Sequence, residues 1–290
     1  MNWRKVSLIC NCVDANLIEE ILVGYEAISI SMFDETGNSP IYEPKLGETP
    51  LWSIINIHAL FDKNISKEII DMILEGISYT NLSISVLEDQ NWVKKFQESF
   101  QPIKFGERLW IVPSWHSSFK EKGSINLKLD PGMAFGSGTH ETTHLCLEYL
   151  EKNKLNGITI LDYGCGSGVL SIASLLLGAK RVIATDICPL ALKSTKENSS
   201  NNNVIEKLDI VQPDSIPNIK IDLLIANIFS NVLIDCRNSF SNILETGARI
   251  VLSGILESQL KIVVEYYESF FIIQNVEIRK DWCLVEFKKK

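Results

Sequence analysis

The sequence predicts an α/β protein in which a mostly parallel, Rossmann-like sheet follows a small α+β domain of ferredoxin-like type. Three observations point there. From residue 123 onward, short β-branched runs alternate with helix-period runs, the grammar of a sheet with helices on both faces. One such run ends in Gly164, Gly166 and Gly168, and a helical pattern starts at once. Before residue 88 the patterns run β-α-β-β-α-β, the split βαβ order. With 290 residues, 46% of them hydrophobic, the chain can bury two cores. The expected division is a small domain over 1–88, a linker over 89–123 and the larger domain over 124–290.

The elements follow in order. Residues 3–10 alternate as a strand does. Leu17, Ile18, Ile21 and Leu22 have helical spacing over 14–25, with Asp14 as the expected N-cap. Residues 28–33 read as a strand, 34–47 as a polar connection and 51–61 as a strand. Ser66 opens a helix through Leu74, and 81–87 alternates again. In the connector, 91–100 reads as a short helix and 109–112 as a strand. Beyond it, strands are expected at 158–161, 181–185, 209–211, 221–226 and 249–252. Helices are expected at 169–177, 189–198, 232–244 and 257–269. The Asn/Ser cluster at 198–203 reads as a surface loop. The last strands, 270–276 and 282–287, form an edge hairpin.

Charge is unevenly placed. Residues 1–88 hold 5 Lys/Arg and 13 Asp/Glu, while the rest holds 23 of each, so the whole net charge of −8 lies in the first third. An acidic module suits a basic partner and argues against direct nucleic-acid binding by that module. The plainer alternative is solubility. Seven scattered cysteines are an odd number and form no disulfide framework, which fits a reducing compartment. Cys10 and Cys12 lack a second Cys or His pair and read as half-buried strand residues, so no metal is expected. No apolar run is long enough to span a bilayer, and the first ten residues lack the apolar core of a signal peptide. A cytoplasmic location without membrane contact is expected.

The strongest local signal is Ile160-Leu-Asp-Tyr-Gly-Cys-Gly-Ser-Gly168. Its glycines permit a sharp turn and close approach of a ligand to backbone. A dinucleotide fingerprint G-x-G-x-x-G would place its third glycine at 169, which is Val169. G-x-G-x-G preceded by Asp162 instead resembles motif I of class I methyltransferases, whose ligand carries an ammonium group that a carboxylate would attract. Asp186 ends the next strand near the roughly 20-residue offset at which an acid grips ribose hydroxyls. Asn227 ends the strand of Asp222-Leu-Leu-Ile-Ala-Asn227 and offers both donors and an acceptor, for an incoming amine or a cofactor end. An ordinary loop explains each of these alone; together they point to an adenosine-type ligand.

The segment Leu129-Asp-Pro-Gly-Met-Ala-Phe-Gly-Ser-Gly-Thr-His-Glu-Thr-Thr143 is more specific. It resembles the signature that precedes motif I in the PrmA family, the methyltransferases of large-subunit ribosomal protein eleven. So do Phe105-Gly-Glu-Arg-Leu-Trp-Ile-Val-Pro-Ser-Trp115, Leu252-Ser-Gly-Ile-Leu-Glu-Ser258 and Asp281-Trp-Cys283. The resemblance is close over 90–290 and covers the first domain by element order only. It implies S-adenosylmethionine as cofactor, held at Thr143, Gly164, Asp186 and Asn227, with Asp162 and Gly166 beside them. It also implies substrate recognition by the first domain, and methylation of an α-amino group and of lysine side chains on ribosomal protein eleven. One departure stands out: after the Asn the family usually reads Ile-Leu-Ala-Gly-Pro-Leu, and this chain reads Ile228-Phe-Ser-Asn-Val-Leu233.

Methyl transfer from a sulfonium to an amine is an in-line displacement that mainly needs positioning of a neutral amine. An α-amine is partly neutral at pH 7, and a lysine becomes so when desolvated. Asn227 is expected to orient the nitrogen and Phe135, in the glycine-bearing 129–143 loop, to line the entrance. His140 is a candidate base with no partner visible in sequence, and no general base is assigned. Three other readings stay open: a methyltransferase of another protein or a small amine, a non-enzymatic cofactor-binding module, and an NAD-linked oxidoreductase. Val169 disfavours the last.

Overall fold

A computed structural model describes residues 3–36, 51–62, 64–87, 100–119, 121–130 and 140–290, in two compact units, Met1–Lys95 and Phe96–Lys290. In the first unit β1 (Trp3–Asn11), α1 (Cys12–Gly24), β2 (Ser29–Asp34), β3 (Ile54–Phe61), α2 (Lys67–Ile73) and β4 (Tyr79–Leu87) build an antiparallel sheet ordered β2-β3-β1-β4. This is the ferredoxin-like arrangement that the element order predicts. Strand alternation sets its core: Val6, Leu8 and Cys10 of β1 and Ile55, Ile57 and Phe61 of β3 pack with Ala15, Ile18 and Leu22 of α1. Two local expectations change. Asn11, not Asp14, occupies the N-cap of α1, because the strand runs straight into the helix; Asp14 falls in the first turn, where its charge favours the helix dipole. Cys12 is exposed at the start of α1 rather than on a strand, and all seven cysteines are free thiols.

In the second unit, β5 (Ile103–Phe105), β6 (Leu109–Val112) and β7 (Ile125–Lys128) form a small sheet ordered β5-β6-β7. The stretch read as a connector thus contains two strands, and their residues Phe105, Leu109 and Ile111 sit in the core of this unit. Buried Glu151 fastens the β5–β6 turn, accepting from Arg108 Nε at 2.9 Å and from the Glu107 amide at 3.3 Å. The short helix expected at 91–100 falls almost wholly outside the described residues.

The main sheet is ordered β10-β9-β8-β11-β12-β14-β13. Its parallel strands are β8 (Thr159–Tyr163), β9 (Arg181–Thr185), β10 (Leu208–Val211), β11 (Leu223–Asn227) and β12 (Arg249–Leu256). β13 (Phe271–Arg279) and β14 (Trp282–Lys289) are the antiparallel edge hairpin, joined by a tight turn with Lys280 at φ 52°. Helices α3 (Glu141–Lys152), α4 (Val169–Leu176), α5 (Pro189–Asn201), α6 (Ser230–Ile243) and α7 (Glu257–Tyr267) cover both faces. Successive strand residues feed opposite cores: Ile160, Val182 and Ile225 pack with α3 and α4, while Leu161, Ile183 and Leu224 pack with Phe240 of α6 and Tyr267 of α7.

The Asn/Ser cluster is not wholly a loop, since α5 continues to Asn201. Asn198 Nδ2 donates to the Ser167 carbonyl at 2.8 Å, and Asn202 exchanges two bonds of 2.8 Å with the Lys128 backbone. Polar residues that elsewhere break helices here tie this helix end to the glycine turn and to β7.

Candidate active site

The strand order puts the carboxyl ends of β9, β8 and β11 side by side, with Asp186 after β9, the glycine turn after β8 and Asn227 ending β11. This edge is where open α/β sheets place ligands. A cavity of about 410 Å³ opens there, within the usual span of small-molecule sites. Gly164, Gly166, Asp186 and Asn227 all line it, as the sequence led us to expect.

The turn is built from backbone bonds. The amides of Gly164 and Cys165 both donate to the Thr185 carbonyl, at 2.8 and 3.0 Å. Gly164 has φ 83° and Gly168, the N-cap of α4, has φ 80°, so both occupy the left-handed region that other residues avoid. Asp186 closes the arrangement: one carboxylate oxygen accepts from Gly166 N at 3.0 Å, the other from Cys188 N at 2.9 Å. Two fixed bonds orient the carboxylate and leave each oxygen a further lone pair for a ligand hydroxyl.

Asp162, expected at the cofactor, is fully buried within β8 and is not among the residues that line the cavity. Its Oδ2 accepts from Ser171 Oγ at 2.5 Å, while Oδ1 has no partner among the described residues. Burial, the leading cause, pushes its pKa up to about 7, and the nearby Asp186 adds to the shift. Asn227 Oδ1 is likewise buried without a partner among the described residues. Because Asn227 lines the cavity, its orphaned acceptor is a group that a ligand with N–H or O–H donors satisfies.

Thr143 is buried, its Oγ1 has no partner among the described residues, and it does not reach the cavity wall; Thr142, one residue earlier, does. Phe135 lies outside the described residues. His140 lines the cavity as the N-cap of α3. Its Nδ1 accepts from the Thr142 amide at 3.3 Å and lies 2.8 Å from Thr142 Oγ1. Burial lowers its pKa, so the ring is neutral at pH 7 with the proton on Nε2. The lone pair that a base needs is turned toward the helix.

Several wall residues were given no role from sequence. Ile187 follows Asp186, Pro213 follows β10, and Phe229 and Val232 follow Asn227. Trp282 meets His140 edge-on, with ring centroids 4.8 Å apart. Arg279 holds the hairpin to α3 through Glu141 at 2.6 Å and Glu148 at 3.0 Å. Trp282 and Gly254 lie in motifs that carried the resemblance, which was the available signal for both.

Comparison with known proteins settles the family. A model described as ribosomal protein L11 methyltransferase (PrmA) matches residues 2–290. The chain belongs to the PrmA family. It is 39% identical over 291 residues to the ribosomal protein L11 methyltransferase of Hahella chejuensis, covering 100% of this chain and 99% of that one. It is also 39% identical over 294 residues to that of Pseudomonas putida, covering 100% of both chains. Among solved structures, a ribosomal protein L11 methylase from Lactobacillus delbrueckii superposes with a TM-score of 0.61 at 31% identity, covering 66% of this chain and all of that one. The PrmA match agrees with the predicted class I methyltransferase sheet.

Proposed function

We propose that this protein transfers methyl groups from S-adenosylmethionine to the α-amino group and lysine ε-amino groups of ribosomal protein L11. The observation that carries the reading is the cavity at the ends of β8, β9 and β11, with Asp186 fixed on one side of the glycine turn and Asn227 on the other. Whole-chain similarity to proteins named for that activity supports the substrate.

The residues fit the cofactor. Asp186 would accept from its ribose hydroxyls, and Gly164 and Gly166 admit it close to backbone. The unpartnered oxygen of Asn227 suits the ammonium end, and Asp162, buried in β8 just before the glycine turn, is proposed to attract that charge from behind the cavity wall. When bound, the cofactor supplies an activated methyl group. From the 129–143 segment Phe135 is proposed to line the entrance, and Thr142, which reaches the cavity wall where Thr143 does not, is proposed to complete the pocket. The chain's own work is then to position and dry the amine: Asn227 orients the nitrogen and apolar walls disfavour its charged form. No general base takes part, in keeping with the engaged Nδ1 of His140.

The first domain, 1–88, is proposed to recognise the protein substrate, its excess acid suiting a basic partner, with the linker kept to the part of the expected 89–123 stretch that precedes β5. The site of action is proposed to be the cytoplasm, without membrane or direct nucleic-acid contact. Among the described residues no helix is long and apolar enough to cross a membrane, and no group of three or more His, Cys, Asp or Glu is placed to hold a metal. The test is mass spectrometry of purified ribosomal protein L11 after incubation with enzyme and S-adenosylmethionine. Mass added in single methyl steps at an α-amine or lysines supports the reading. No added mass while S-adenosylhomocysteine still binds points to another amine.

A further inference from the structure

Phe229 is 60% exposed, yet it lines the cavity and its backbone is tightly held. The preceding residue, Ile228, is clamped between two glycines. A Cβ on Gly164 would stand 2.3 Å from Ile228 Cγ2, and one on Gly254 would stand 2.3 Å from the Ile228 carbonyl oxygen. The following residue, Ser230, is buried, and the Phe229 carbonyl accepts the first helical bond of α6 from Leu233 N at 3.0 Å. A large apolar side chain is therefore presented to solvent at a fixed place. Val232, 39% exposed, lines the cavity one turn further along the same helix start.

The strand order says which end of the cavity this is. Asp186 and Pro213 lie on the β9–β10 side of the glycine turn, and Asn227 and Phe229 on the β11 side. Asp186, proposed above to hold the ribose, and Phe229 thus flank the turn from opposite sides, and Phe229 lies on the side of Asn227, the residue proposed to orient the amine.

We propose that Phe229, with Val232, forms an apolar lip that grips the methylene stem of an incoming lysine and so sets the preference for ε-amines over the α-amine. The inference rests on the functional reading above. A lysine offers four methylenes between backbone and nitrogen, whereas an α-amine offers none, so the lip acts on the first far more than on the second. It also strips water from the ε-amine, favouring the neutral form that reacts.

The experiment compares wild type, Phe229→Ala and Phe229→Leu on purified ribosomal protein L11. α- and ε-methylation are resolved by peptide mass spectrometry in one reaction, and S-adenosylhomocysteine affinity is measured by calorimetry. Expected for Phe229→Ala is an ε-to-α rate ratio about tenfold lower, or about 1.4 kcal/mol, with cofactor-product affinity unchanged. The acidic limb of the kcat–pH profile for ε-methylation, where the amine protonates, moves up toward the free-lysine range, and Phe229→Leu recovers most of the ratio. An unchanged ratio, or equal loss at both amines, overturns the lip. A drop in S-adenosylhomocysteine affinity overturns it too, by moving Phe229 to the cofactor. Wild type that binds S-adenosylhomocysteine but methylates neither amine overturns the functional reading along with it.

Discussion

Gly254→Ala tests how the site is held together. Gly254 sits at the register shift of β12 against β14, with φ 82°. An alanine there pays about 1–2 kcal/mol for the left-handed conformation. Its Cβ would also stand 2.3 Å from the Ile228 oxygen and 2.8 Å from the carbonyl carbon, so that backbone must retreat by about 1 Å to reach ordinary contact. Overpacking of this kind costs about 1–3 kcal/mol. The sum is about 2–5 kcal/mol, and at about 2–4 °C per kcal/mol for a unit of this size the melting temperature falls by about 4–20 °C. Because the displaced residue follows Asn227, binding of S-adenosylhomocysteine weakens as well. Differential scanning calorimetry with and without S-adenosylhomocysteine measures both effects. Gly24→Ala is the control: a Cβ there meets nothing within 4 Å, so stability stays within about 0.5 kcal/mol of wild type. A Gly254→Ala protein with wild-type melting temperature and ligand affinity would refute the clamp.

Asp186→Asn loses a charge-assisted acceptor, and its amide must face one of the two backbone N–H groups; S-adenosylhomocysteine binding weakens about ten- to a hundredfold, read by calorimetry on a protein of unchanged circular dichroism. Asp162 has a folded-state pKa of about 7, above the unfolded value, so the folded protein keeps a proton that the unfolded chain has released. Its contribution to stability therefore declines as pH rises from about 4 to about 7, and the difference between wild type and Asp162→Asn in urea melts follows that window; a pH-independent difference contradicts the assignment. His140→Ala removes an N-cap and costs about 0.5–2 kcal/mol, while turnover and the shape of its pH profile persist. Abolished turnover with S-adenosylhomocysteine binding intact would show that the amine needs a base after all.

Much of the fold was legible because alternation has a physical cause. Val6, Leu8 and Cys10 had to share one face of β1, and Ile160 and Leu161 opposite faces of β8, whatever the tertiary context. Of the β5–β7 sheet only β6, at 109–112, was legible. Its strands are three or four residues long, interrupted by Gly106 and Pro113, and the β6–β7 pairing is set by distant contacts that no local pattern encodes. The helical end of α5 was missed for the same reason: Asn198 and Asn202 are held by Ser167 and Lys128, residues far away in the chain.

The site divides along a similar line. Gly164, Gly166, Asp186 and Asn227 were legible because their roles are fixed by backbone geometry at strand ends, and spacing reports that geometry directly. Ile187, Phe229 and Val232 were not, since a single apolar residue reads the same whether it fills a core or walls a cavity, and Trp282 was marked only by the motif it lies in. The threonine pair shows how fine the limit is. Thr142 and Thr143 are adjacent on α3, about 100° apart around its axis. Which of them faces the cavity depends on the residue that caps the helix. With His140 as the N-cap, its Nδ1 bonded to the Thr142 amide and its ring against Trp282, the phase is set so that Thr142 lines the cavity and Thr143 turns into the core. Sequence supplied the motif; the rotation came from a histidine whose chemistry in this site is that of a cap.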